Sequence, residues 1–110
     1  MKWLELKTLE DLESISNSND YTVIFKHSTR CPISSMTKKQ FEFESPLIPQ
    51  DIPVYLLDLI KHRELSNKIA DKWQVRHESP QVLLIKGSEC VYHESHNEIE
   101  VAKVVTRMTS

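Results

Sequence analysis

Three short stretches, Tyr21 to Lys26, Val54 to Leu59 and Gln81 to Lys86, are rich in aromatic, β-branched and aliphatic residues. Each reads as a strand, and the nearly continuous apolar centre of the first reads as a strand covered on both faces. Segments of helical character separate them. Leu9, Leu12 and Ile15 are spaced by three, and Thr8 suits an N-cap with acidic residues in the first turn. Pro32 opens a second helix that runs from Ile33 to about Glu44, because proline is favoured at the first helical position. Leu65, Ile69 and Trp73 mark the inner face of a third.

Shorter signals complete the order. Trp3 to Leu6 alternates and reads as a weak strand, and Pro46 to Pro53 is a proline-rich connection. Gly87-Ser88 is a two-residue turn that joins Gln81 to Lys86 with a hairpin partner, Glu89 to His93. Ile99, Ala102, Val105 and Met108 are expected to form the inner face of a last helix. The expected order is βαβαβαββα, an α/β chain with a central mixed sheet flanked by helices.

The 110 residues suit one domain, with 39% hydrophobic and 27% charged residues. The longest apolar run, Val82 to Ile85, is far below the roughly 18 to 20 residues that span a bilayer. The opening residues alternate in polarity and lack an apolar stretch of signal-peptide length, so a cytoplasmic protein with no membrane partner is expected. Fourteen basic side chains against sixteen acidic ones give a net charge of −2, with no basic stripe for nucleic acid. Gly87 is the single glycine, so no glycine-rich phosphate loop can be built.

Cys31 opens the second helix and Pro80 opens the fourth strand, and in that order of elements the chain resembles the thioredoxin fold. The stretch Lys72-Trp73-Gln74-Val75-Arg76, followed by Ser79-Pro80-Gln81-Val82-Leu83-Leu84-Ile85-Lys86, is similar to the thioredoxin segment that carries its cis-proline. Three further motifs, Thr29-Arg30-Cys31-Pro32-Ile33-Ser34, Glu78-Ser79-Pro80 and Tyr92-His93-x-x-His96, resemble the monothiol bacilliredoxins of the YtxJ type. The resemblance covers nearly the whole chain.

A nucleophilic cysteine reacts as the thiolate, and a helix N-terminus favours negative charge. Cys31 has that placement, with cationic Arg30 beside it and Ser34 three residues on. Ser34 is expected to donate a hydrogen bond to the sulfur. As a serine it cannot resolve a mixed disulfide, so a dithiol cycle through positions 31 and 34 is excluded and monothiol exchange remains. In a thioredoxin-like sheet Cys90 lies two strands from the Cys31 strand, already about 10 Å, whereas disulfides need Cα atoms within about 7 Å. Cys90 is therefore expected to be a buried small hydrophobe. His93 and His96 lack an evident third ligand, and no metal site is expected.

The expected catalytic residues are Cys31 and Ser34, and the expected substrate-binding residues are Arg30, Pro32, Ser79 and Pro80. The resemblance implies a cis Ser79-Pro80 bond as the substrate-side wall. Two departures stand out. Phe25 occupies the place, six before Cys31, where thioredoxins carry a buried acid, and the glutaredoxin Gly-Gly element is missing. Both point away from glutathione, and the resemblance names bacillithiol as the thiol substrate, with no bound cofactor. The implied partners are S-bacillithiolated client proteins, with bacillithiol or a disulfide reductase regenerating Cys31. A redox-inactive adaptor on the same fold and a general thiol-disulfide reductase are the competing readings.

Overall fold

The computed structural model describes residues 1–108. Its strands are β1 (Leu4–Glu5), β2 (Tyr21–His27), β3 (Val54–Asp58), β4 (Gln81–Lys86) and β5 (Glu89–Ser95). Its helices are α1 (Leu9–Asn17), α2 (Pro32–Glu44), α3 (Arg63–Trp73) and α4 (Val101–Met108). Single 3₁₀ turns at Ser45–Leu47 and His96–Glu98 follow α2 and β5. The order is the one the hydrophobic pattern predicts.

The sheet runs β1-β3-β2-β4-β5, with β1, β3 and β2 parallel and the β4–β5 hairpin antiparallel to them. Alternation along β2 and β4 splits the core into two layers. Ile24, Leu83 and Ile85 face α1 and α3, where they meet Leu12, Ile15, Leu65, Ile69 and Trp73. Val23, Phe25, Val82 and Leu84 face the other way, against Phe41 of α2 and Val101 and Val104 of α4. Phe25 is fully buried and packs edge-on against Trp3 and Phe41, so the position of the thioredoxin acid is filled by an aromatic cluster.

Local chemistry accounts for the element ends. Thr8 caps α1 by accepting the Asp11 amide at 3.1 Å, and the Asp11 carboxylate accepts the Thr8 amide at 3.0 Å. Gly87 turns the hairpin at φ +62°, and a Cβ there would sit 3.1 Å from the Ser18 carbonyl oxygen. Its own carbonyl accepts the Trp73 indole at 3.1 Å, which ties the turn to α3.

Two helix faces differ from the expected ones. Leu9, in the first turn, is exposed, and α1 buries only Leu12 and Ile15. In α4 the buried residues are Val101 and Val104, with Ala102 exposed. The 3₁₀ turn takes up the preceding residues, so Ile99 is buried outside the helix; Val105 and Met108 pack partly buried on the core as expected, and Ala102 alone of the expected four faces outward.

Candidate active site

Residues 28–31 connect the end of β2 to the start of α2, and Cys31 is the N-cap residue of α2. Its amide donates to the Ser28 carbonyl at 3.2 Å, and its carbonyl accepts the Ser35 amide at 3.1 Å. The backbone is therefore held while the side chain makes no capping bond and is partly exposed. Pro32 stands at the first helical position, where a missing N–H costs nothing, and is exposed beside the sulfur-bearing residue. Arg30 is exposed and makes no ion pair among the described residues. Such an arrangement presents one accessible sulfur at the positive end of a 13-residue helix.

Ser34 does not serve that sulfur. It is fully buried, its hydroxyl accepts the Ser28 amide at 3.0 Å, and it lies 2.7 Å from Nδ1 of His27. Its hydrogen bonds run to His27 and the Ser28 amide, and among the described residues none reaches Cys31. The expected bond from Ser34 to the sulfur is thus replaced by one to His27, because burial demands that both polar groups be satisfied. Burial and the nearby Lys38 ammonium push His27 below its usual range, which favours the neutral ring, while Asp58 and Glu42 oppose that shift.

Ser79 and Pro80 come to the same end of the sheet. Lys26 pairs with Gln81 across β2 and β4, which sets Pro80 level with His27. The Ser79-Pro80 peptide is cis. The Pro80 carbonyl accepts the His96 amide at 2.9 Å, the Ser95 hydroxyl bonds to Glu78, and Gln81 donates to the Arg76 carbonyl at 2.9 Å. That hydroxyl bond lowers the Glu78 pKa from its ordinary value. The loop from 74 to 80 is thereby pinned on both sides.

Cys90 is far from this end. It pairs with Ile85, which pairs with Thr22 near the start of β2, whereas Cys31 lies beyond the end of that strand. Five residues of strand alone span roughly 17 Å, well beyond disulfide reach. Cys90 is partly rather than fully buried, because it lies on the edge strand β5. Burial still pushes its thiol up to about 11, and the sulfur donates to the Tyr92 carbonyl at 3.4 Å. Among the described residues no group of three His, Cys, Asp or Glu side chains is placed to hold a metal ion, His93 and His96 included.

Three residues of this region escaped the sequence reading: Lys26, His27 and His77. The apolar pattern ends the strand at Lys26, but β2 continues through His27 and both side chains are buried. The signal was present in the lysine and histidine that directly follow an apolar strand run and precede the Cys31 loop.

The sequence profile of the monothiol bacilliredoxins, BrxC, matches residues 4–104. The chain belongs to that family. This bacilliredoxin is similar to a solved structure described as a candidate oxidoreductase with a thioredoxin fold, at 33% identity over 94% of this chain and 91% of that one, TM-score 0.81. It shares the fold of a Malassezia sympodialis thioredoxin, at 12% identity over 99% and 92% of the two chains, TM-score 0.80. A Fasciola hepatica thioredoxin matches at 22% identity over 94% and 97%, TM-score 0.73. The bacilliredoxin is a thioredoxin-like thiol-disulfide oxidoreductase. Among its described residues no helix is long and apolar enough to cross a membrane.

Proposed function

We propose that this bacilliredoxin removes bacillithiol from S-bacillithiolated cytoplasmic proteins by monothiol exchange at Cys31. The single observation that carries the reading is the isolation of the sulfur. Cys31 is accessible, the fourth position of its motif is a buried serine committed to His27, and Cys90 lies at the far end of the sheet. One thiol can transfer a group but cannot close an internal disulfide.

The Cys31 thiolate attacks the bacillithiol sulfur of the client's mixed disulfide. A sulfur-sulfur bond forms between Cys31 and bacillithiol as the client bond breaks, and the client leaves as a thiolate that takes a proton from solvent. Disulfides are conserved in this step, so it needs no external electron. A second bacillithiol, or the thiol of a disulfide reductase, then attacks the Cys31 mixed disulfide and restores the thiolate. Arg30, next to Cys31 in the chain, offers a planar cation to the carboxylates of bacillithiol's malyl group, while Pro32, with Ser79 and Pro80 from the same end of the sheet, is assigned to the client-side surface.

Intact-mass analysis of the protein with a bacillithiolated client tests the proposal. A gain of one bacillithiol on Cys31, with loss of the same mass from the client, is expected. Release of the client without modification of Cys31, or full activity in Cys31→Ala, would refute it.

A further inference from the structure

Lys26 is completely buried, yet no carboxylate pairs with it among the described residues. Its ammonium donates to the Ser66 carbonyl at 3.2 Å and lies 3.3 Å from Nδ1 of His77. The Ser66 hydroxyl is 3.2 Å from the same nitrogen. An unpaired buried charge is costly, and the surrounding layer is otherwise made of Ile24, Leu57, Leu65, Ile69 and Leu83. Across the strand, Gln81 is also fully buried, with Oε1 unpartnered among the described residues and its amide nitrogen donating to the Arg76 carbonyl. Lys26 and Gln81, two buried polar side chains of this layer, thus hold adjacent residues, 77 and 76, of one loop.

We propose that Lys26 is a positioning residue for thiol-disulfide exchange: acting through His77, it holds the loop that carries Ser79 and Pro80 against the end of β2. This rests on the reading that Ser79 and Pro80 form the client-side wall. The link works with a charged lysine and a neutral imidazole, since His77 must accept at Nδ1. The groups that face the pair fit that assignment. Ser66 and Arg63 approach from α3, Gln81 from β4 and Glu78 from the loop itself. Burial, with Lys26 and Arg63, lowers His77 from its usual range against the opposing pull of Glu78. Burial also lowers Lys26 to about 8, so the ammonium, and with it the stronger donor to His77, is lost above that pH.

Lys26→Met keeps the stem and removes the donor. With a disulfide-linked client peptide, the variant should lose roughly tenfold or more in kcat/KM, carried by KM, since that is what about 1.4 kcal/mol of lost positioning amounts to. With 2-hydroxyethyl disulfide, which is too small to span the wall, it should match wild type. In the wild type KM for the peptide should rise above about pH 8, and that rise should be missing from the variant. His77→Phe cuts the same link from the half-buried side and should reproduce the selective loss, whether or not Lys26→Met folds. Equal losses on both disulfides, or an unchanged KM and pH profile in either folded variant, would overturn the proposal. Client exchange that survives in Cys31→Ala would instead overturn the reading of the site, leaving the role of Lys26 a separate result.

Discussion

Nδ1 of His27 and the hydroxyl of Ser34 lie 2.7 Å apart, joining the last residue of β2 to the first turn of α2. The Ser28 amide donates to the same hydroxyl at 3.0 Å, so the loop that carries Arg30 and Cys31 is closed at its base. A serine at the fourth position of the cysteine motif is therefore a structural clasp as well as the absence of a resolving thiol. An apolar residue there would leave the buried His27 ring nitrogen and the half-buried Ser28 amide without this partner.

Ser34→Ala should lower stability by about 1 to 3 kcal/mol, the cost of stranding a buried polar group. Thermal unfolding measures it. Alkylation of Cys31 should change by no more than about threefold, because the hydroxyl does not touch the sulfur and half a kcal/mol is the scale of an indirect effect. A large fall in Cys31 reactivity with unaltered stability would return Ser34 to the thiolate.

The two cysteines should label very differently. Cys31 is accessible at a helix N-terminus, whereas burial holds the Cys90 thiol at about 11. Iodoacetamide near pH 7.5 should modify Cys31 and spare Cys90 until denaturant is added, as read by peptide mass spectrometry. Comparable native labelling would contradict the burial of Cys90.

Acid should weaken the fold through two histidines. His27 and His77 are both lowered, chiefly by burial, so in the window below about 6.5 the unfolded chain binds protons that the native chain does not. Stability is then lost as pH falls through that window. His27→Asn should flatten the dependence on acid, even if the variant is less stable at pH 7. A wild-type melting temperature that stays level from pH 7 to 5 would count against both assignments.

Lys26 acts in the opposite range. It titrates near 8 when folded and about 10.4 when unfolded, so between those values the unfolded chain holds more protons and stability rises with pH. Below pH 8 the buried charge costs up to about 3 kcal/mol. Lys26→Met should therefore be as stable as wild type or more so at pH 7, and the gap should narrow by pH 10. Chemical denaturation at the two pH values checks this, and a variant markedly less stable at pH 7 would show that the ammonium's bonds outweigh its burial.

Arg30 separates field from fork. If it anchors the malyl carboxylates, Arg30→Ala should slow exchange with a bacillithiol mixed disulfide about tenfold more than with a neutral one, and Arg30→Lys should restore little of that preference. Equal losses on both substrates would leave Arg30 only a source of positive potential.

The order of strands and helices was legible in the sequence because the period of the apolar residues differs between the two, and β2, β3 and β4 are too apolar to lie anywhere but inside a covered sheet. The placement of Cys31 was equally local, since Pro32 marks the first turn of its helix. The absence of a resolving thiol also needed only the identity of residue 34. What joins His27 to Ser34, and Lys26 to His77 across 51 positions, was invisible at that level. Both contacts depend on which face of β2 each side chain takes and on what packs there: α2 over His27, α3 and the Pro80 loop over Lys26. A lysine at a strand end reads as solvent-exposed until the neighbouring strands are in register. Only with β2 paired between β3 and β4, and with its two faces covered, are its two terminal polar residues buried groups that require partners, which Ser34 supplies to His27 and Ser66 and His77 supply to Lys26.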